Sequence, residues 1–484
     1  MEGDNPAPPG GNGNNCSDPG VVFGSETEAI LDAEYASASA PSAAIVLASC
    51  TSTTATFGGL IALQNLLNES NKPPAVVSMS YGECETVNGA AANAAFNSTF
   101  EQAVTEGVSV FVSAGDGAGA FCDKDNQDSI YGIGVTGWGS SPHDVAVGGT
   151  DFGDTFAGTN GNYWNGSNSG TFESALSYVP EIPWDNSCGS TLLAKFNGFN
   201  VTYGTNGFCN SARGEAKYLN TVGGGGGPSG CATGKPSEPN VVSGSCAGWP
   251  KPTYQSLLGN PNDGVRDVPD VSLFAANGVW LHAYPYCFTG PGGVPCTEAP
   301  VNWPQGGGTS FAAPIMAGIQ ALVNQKVGAR QGNPNFVYYK LANTEYGLTG
   351  NKSCNATLGN GVGNTCIFHD VTLGDNVVDC ADNIEFGANN CYLPSGANGV
   401  LSISDGSYQP AFTAGNGWDF PTGIGTVNAT NLVNNWPGVA PSFSLAASPG
   451  SLTIVQGKSG NSTITMTALA FKAADAISSQ IRGG

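Results

Sequence analysis

Positive charge is scarce in this chain. Lys and Arg number 15 against 37 Asp and Glu, a formal net charge of −22 over 484 residues. A nucleic-acid surface needs cations to displace counterions from phosphates, so nucleic acid is excluded as a partner, and an anionic membrane surface with it. No apolar run approaches the ~20 residues of a membrane span. Histidine is rarer still, with three residues, His143, His282 and His369, and no Cys-x-x-Cys pair occurs. That is poor material for zinc or iron–sulfur ligation. Free Asp and Glu titrate near pH 4, so a carboxylate-rich, lysine-poor surface loses most of its self-repulsion in acid. The composition suits an acidic medium, although plain solubility would also account for it.

What is present is enough for a folded body. Hydrophobic residues are 40% of the chain, which excludes wholesale disorder, and the length suits one large domain with an appendage. Fourteen cysteines, an even number, read best as disulfides and hence as an oxidising compartment. Pairing of neighbours across short Gly/Asn-rich loops suits Cys231/Cys246, Cys287/Cys296 and Cys380/Cys391, although sequence does not fix connectivity. A secreted, extracellular protein is expected. The N-terminus reads as no export signal, which is expected to be missing or to have been removed.

The fold class expected is α/β, a parallel sheet flanked by helices, with a short C-terminal β segment. Residues 1–24 are Gly/Pro/Asn-rich and read as loop. Helical spacing over 25–35, 57–67 and 90–106 alternates with apolar runs at 43–49, 75–80 and 108–113, which read as buried strands. Residues 150–300 read as loop-heavy elaboration. Ala312, Ala313, Met316, Ile319, Leu322 and Val323 then mark a largely apolar, central helix over 310–325. The main domain is placed at 25–436. Residues 437–484 read as a linker and an incomplete β-sandwich-like tail, whose last stretch, 471–484, is expected to be non-native.

Four local features could carry chemistry. Gly306-Gly307-Gly308-Thr309-Ser310-Phe311-Ala312-Ala313-Pro314 puts a hydroxyl at the start of a buried helix, where the dipole favours a nucleophilic serine. Thr309 or Ser310 could equally be a helix cap. Glu28 and Asp32, at i and i+4, share one helix face with Cβ atoms roughly 5–6 Å apart. Two such carboxyls titrate as a pair and make a general base in acid. A capping box from Ser25 to Glu28 is the alternative. Asp116, in Ser113-Ala114-Gly115-Asp116-Gly117, follows a strand end, where parallel sheets place sites. A Gly-Asp-Gly turn is its plainer reading. Lastly, His369-Asp370-Val371-Thr372 and Gly415-Asn416-Gly417-Trp418-Asp419 supply carboxylates and glycine-exposed carbonyls that suit Ca²⁺, or else form a pair of Asx-rich loops.

Gly-Thr-Ser followed by three residues and Pro resembles the nucleophile motif of subtilisin-like serine peptidases, but the His-Gly-Thr-His segment of subtilisins is absent. With Glu28 four residues before Asp32 and Leu31 just ahead of it, the chain resembles the sedolisins, the serine-carboxyl peptidases. Val268-Pro269-Asp270-Val271-Ser272 and Val147-Gly148-Gly149-Thr150 also look like segments of that family, and the likeness runs from about residue 20 to 436. The resemblance implies a subtilisin-like fold with Ser310 as nucleophile, Glu28 and Asp32 as the base pair, and protonated Asp116 as oxyanion donor. It implies one structural Ca²⁺ held by the side chains of Asp370 and Asp419 and the carbonyls of Val371, Gly415 and Gly417.

Protein or peptide substrates are implied, with no nucleic acid and no membrane span. Sedolisins carry a long N-terminal pro-segment as an intramolecular inhibitor; none precedes Glu28 here, and a missing sheet strand is expected. A monomer is expected. The glycine run 223–227 and residues 181–184 are candidate pocket linings. The rival readings are a catalytically inactive, extracellular calcium-binding relative and a neutral-pH peptidase using a histidine such as His143.

Overall fold

The computed structural model describes residues 15–22, 24–68, 73–290, 293–382, 387 and 389–438, with the backbone of three further strands, Glu2–Asp4, Phe443–Ser448 and Thr463–Ala468. Alternation of strand and helix builds the first half. β1 is Glu2–Asp4, α1 Ser25–Ser39, β2 Val46–Ala48, α2 Gly58–Asn68, β3 Val76–Met79, α3 Glu85–Thr105 and β4 Ser109–Ser113. Then come β5 (Val145–Phe152), β6 (Glu181–Pro183), β7 (Val271–Phe274), α4 (Thr309–Val327) and α5 (Asn335–Tyr346).

Strands β3 to β7 form one five-stranded sheet. β3, β4 and β5 run parallel in that order, and β7 adds to β5 in parallel through Val147–Val271 to Thr150–Phe274. β6 pairs antiparallel with the last residues of β5. Helices cover both faces, which explains why the central strands read as unbroken apolar runs. On one face Phe111, Val145, Val147 and Val271 pack against Ala312, Ala313 and Met316 of α4. On the other, Val108, Val110 and Val112 meet Leu60, Leu63 and Leu67 of α2 and Phe96, Phe100 and Ala103 of α3. The expected parallel sheet between helices is what forms.

α4 is the centre of the molecule and crosses α1 closely. A side chain at Gly318 of α4 would place its Cβ 2.0 Å from Ser39 Oγ at the end of α1, so glycine alone permits this approach. Tyr35 of α1 and Tyr284 pack on Phe311 of α4, with ring centroids 5.0 and 4.7 Å away. α1 is thereby held along the helix that begins with Thr309-Ser310.

The N-terminal region departs from expectation. Residues 2–4 form a strand, not a loop, and pair in parallel with β2. β2 is neither buried nor part of the main sheet; Val46 is 50% exposed. An apolar run reads as buried only if both its faces are covered, and here the free edge takes up β1 while one face stays in solvent. The Cys16–Cys50 disulfide anchors the segment before α1 to the end of β2.

Seven disulfides join each cysteine to the next in sequence, including the three pairs expected. Five of them brace the loop-rich region between β5 and α4 and the segments after α5, where regular elements are short, while Cys16–Cys50 and Cys84–Cys122 lie before β5. Beyond residue 438, Phe443–Ser448 and Thr463–Ala468 form an antiparallel pair, as the alternation in that stretch predicts. The expectation for 471–484 lies outside the described residues.

Candidate active site

α1 begins at Ser25 after Gly24, and no side chain caps it. The capping-box alternative for Ser25 and Glu28 is therefore not used. Glu28 and Asp32 sit in the half of α1 nearest the start of α4. Glu28 Oε1 is buried and has no partner at hydrogen-bond distance among the described residues, with the Ser310 hydroxyl near enough to act on the carboxyl. Burial raises the Glu28 carboxyl to about 7; the Ser310 hydroxyl opposes the rise and the Asp116 charge adds to it. Asp32 is pushed well above the ordinary carboxyl range by burial and by the Glu28 charge, against a lowering by the Ser80 hydroxyl. The two acids thus hold a proton between them into a pH range where free carboxyls have already ionised.

Ser310 is the second residue of α4, and its helix is also uncapped by any side chain, with Gly308 in the cap position. Neither Thr309 nor Ser310 serves as cap. Amides in a helix's first turn have no intrahelical acceptor, which leaves the Ser310 N–H available. Ser310 Oγ donates to the carbonyl of Ser80, 3.3 Å away. Pro314 is the sixth helical residue, beyond the first turn in which helix amides lack an acceptor. Its missing N–H leaves the Ser310 carbonyl without an i+4 partner, and Ser80 Oγ approaches that carbonyl at 3.2 Å instead.

Asp116 follows β4 and reaches the same spot. Its Oδ1 accepts from Thr309 N at 2.8 Å and from Thr309 Oγ1 at 2.9 Å. Burial raises its carboxyl, with the two Thr309 bonds pulling the other way. Oδ2 faces Gly308: a Cβ at that position would lie 2.9 Å from it, and Gly308 has φ 143°. The glycine run 223–227 does not line a pocket with side chains. It lies along the Asp116 turn, with Gly223 N donating to Asp116 O, Gly225 N to Gly115 O and Ala118 N to Gly223 O. Glu181 likewise belongs to the core. It is 4% exposed, and Thr150, Tyr178 and Thr426 donate to its carboxylate.

The four expected catalytic residues, Glu28, Asp32, Asp116 and Ser310, are thus brought together where β3 and β4 end and α4 begins. Sequence reasoning missed Ser80 and the role of Thr309. Ser80 could have been flagged as the residue after a parallel strand, and Pro314 as the reason a carbonyl near Ser310 needs a donor. No histidine joins the group. His143 has Glu101 and Arg266 as charged neighbours, His282 pairs with Asp151 and Asp154, and His369 packs on Tyr178.

The two expected calcium loops also meet. Gly417 N donates to both oxygens of Asp370, at 3.2 and 3.0 Å. Asp419 accepts from Gly415 N and from Thr422. Both carboxylates are buried, at 2% and 7% exposure, and neither has an ion-pair partner among the described residues. No backbone amide among those residues donates to the carbonyls of Val371, Gly415 or Gly417. Paired carboxylates without a counter-charge beside open carbonyls fit a hard, oxygen-seeking cation.

No protein-family model matches the chain. Kumamolisin from Bacillus sp. (strain MN-32) is 25% identical over 409 residues, which are 83% of this chain and 49% of kumamolisin. The chain therefore spans about half the length of that relative. The solved structure of Pseudomonas sedolisin, a serine-carboxyl proteinase in complex with two molecules of pseudo-iodotyrostatin, superposes with a TM-score of 0.51 at 20% identity, over 90% of this chain and 83% of that one. The fold is thus the subtilisin-like α/β fold found in sedolisin. In sequence the chain is similar to kumamolisin, and in fold it is similar to sedolisin.

Proposed function

We propose that the chain is a secreted serine-carboxyl peptidase that acts in acid on protein or peptide substrates. Ser310 attacks the scissile carbonyl carbon, and Glu28 takes the hydroxyl proton. The amide C–N bond then breaks as Glu28 returns that proton to the leaving amine. Water, deprotonated by Glu28, attacks the acyl carbon, and the ester C–O bond breaks as Glu28 returns that proton to Ser310 Oγ. Asp32 shares a proton with Glu28 throughout. The oxyanion is held by the Ser310 amide and by Asp116, which must be protonated to donate. An ionised Asp116 would repel it, so the reaction belongs to acid.

The observation that carries this reading is the buried Glu28 carboxyl set beside the Ser310 hydroxyl and the Asp116 carboxyl. Asp370, Asp419 and the carbonyls of Val371, Gly415 and Gly417 would hold one Ca²⁺, which when bound neutralises the two carboxylates and pins their loops. The test is peptidase activity on denatured protein from about pH 2.5 to 8, with Ser310→Ala alongside, since carboxyl pairs titrate across that range. Activity that peaks in acid and vanishes in the variant is expected; equal activity in both proteins would sink the reading.

A further inference from the structure

Ser80 touches both halves of the site. It is 6% exposed and immediately follows β3. Its Oγ donates to Asp32 Oδ1 at 2.5 Å and lies 3.2 Å from the Ser310 carbonyl oxygen, while its own carbonyl accepts the Ser310 hydroxyl. The Ser310 carbonyl needs that hydroxyl because Pro314 cannot supply the amide a helix would. One serine therefore ties the acid helix α1 to the nucleophile helix α4.

We propose that Ser80 is a positioning residue for the reaction: its single hydroxyl turns between Asp32 and the Ser310 carbonyl, so that the Glu28–Asp32 pair can pass a proton without parting the two helices. A hydroxyl has one hydrogen and two lone pairs. When Asp32 is ionised, the Ser80 O–H points at Oδ1. When the proton moves from Glu28 to Asp32, the new Asp32 O–H donates to Ser80 Oγ, and the Ser80 hydrogen turns to the Ser310 carbonyl. In the first state the hydrogen serves Asp32 and in the second it serves the Ser310 carbonyl while Asp32 donates to Ser80 Oγ, so the Asp32–Ser80 contact persists in both and no proton leaves the site. The titratable and charged groups facing this contact are Glu28 on α1, Tyr81 beside Ser80, and Asp116 after β4 with Lys124 and Asp125 behind it.

The inference rests on the reading of Glu28, Asp32 and Ser310 as the reacting groups. Its test titrates Asp32 by its ¹³C carboxyl shift in the wild type and in Ser80→Ala, beside the pH profile of kcat. Loss of a donor to the ionised form should raise the Asp32 midpoint by about half a pH unit or more. The acidic limb of kcat should move the same way, with KM little changed. Ser80→Thr keeps the hydroxyl and should restore both. Ser80→Ala combined with Pro314→Ala returns an N–H to the Ser310 carbonyl; it should recover lost Tm but leave the midpoint high. If Ser80→Ala does not fold, Ser80→Cys, a weaker donor, takes its place. An unmoved Asp32 midpoint, or one restored by Pro314→Ala, overturns the proposal. Inactivity of the wild type would instead count against the peptidase reading, and the Asp32 midpoint would still decide the role of Ser80.

Discussion

Thr309 donates twice to a single oxygen of Asp116. Its N–H and its Oγ1 both reach Oδ1, and the Oγ1 in turn accepts from Gly115 N at 3.0 Å. Oδ1 is thereby committed as an acceptor. A proton on Asp116 has only Oδ2 to occupy, and that oxygen faces the open side of Gly308. Thr309 thus determines which oxygen of Asp116 is left free to donate.

Replacing Asp116 separates donation from charge. Asp116→Ala removes an oxyanion donor and should lower kcat by about 10²–10³-fold. Asp116→Asn keeps a donor that cannot ionise. It should retain more activity than the alanine variant, and its activity should persist to higher pH. A basic limb of the kcat profile that stays in place in Asp116→Asn would show that another group sets it.

Gly308→Ala should abolish turnover while leaving a folded protein. The added Cβ would lie 2.9 Å from Asp116 Oδ2, at a φ that L residues rarely adopt. The oxyanion position is crowded and Asp116 is pushed away. Circular dichroism should report native secondary structure with a lowered Tm. Activity within about tenfold of wild type, a loss of ~1.4 kcal/mol at most, would mean that Oδ2 does not face the reacting carbonyl.

The parts legible in sequence were those carried by short motifs and by periodicity. Glu28 and Asp32 at i and i+4, Ser310 at the head of an apolar helix, and Asp116 at a strand end are local patterns, and the fold brings them together. Ser80 and Thr309 were not legible because their roles depend on partners 48 and 193 residues away. The apolar run containing Val46 misled because burial depends on what covers a strand, and β1 covers only an edge. Glu181 misled for the opposite reason: a carboxylate reads as a pocket lining until three hydroxyls are seen to surround it in the core. Between β5 and α4, chain shape follows disulfides and glycine contacts, which leave no period to read.

Buried carboxyls should make this protein more stable in acid than at neutrality. Asp185 and Asp379 are raised well above the ordinary range, Asp375 to about 6 and Glu28 to about 7, in each case chiefly by burial. These groups hold protons more tightly folded than unfolded. Their contribution is fully present below the unfolded pKa near 4 and is lost as pH rises through the folded values. His282, raised to about 9 by Asp151 and Asp154 against burial, acts in the same sense. Its share is present below the unfolded value of about 6.5 and lost towards 9. Asp154, lowered by His282 and Trp164 despite burial, opposes the trend. Tm should therefore fall from pH 4 to pH 7, and less steeply in Asp375→Asn. A Tm that rises over that interval would contradict the assignment.

Calcium should stabilise the folded chain through Asp370 and Asp419. Two buried carboxylates repel each other: burial raises both, and the Asp370 charge raises Asp419 further. A bound divalent cation removes that repulsion and gives each oxygen a partner. Binding to the folded state alone adds about 2.7 kcal/mol at a free concentration of 100 times Kd, so Tm measured at fixed pH should rise with CaCl₂ and fall with EGTA. Mg²⁺ should substitute poorly, because it demands near-octahedral geometry at about 2.0–2.1 Å, whereas this site mixes carboxylates with carbonyls from two separate loops. Asp419→Asn should remove most of the calcium increment. It should leave intact the hydrogen bonds that Thr422 donates to Oδ1, so a small loss of Tm in EGTA is expected alongside a large loss of calcium response. Equal Tm values in CaCl₂ and EGTA for the wild type would show that these loops are held by their own hydrogen bonds and need no ion.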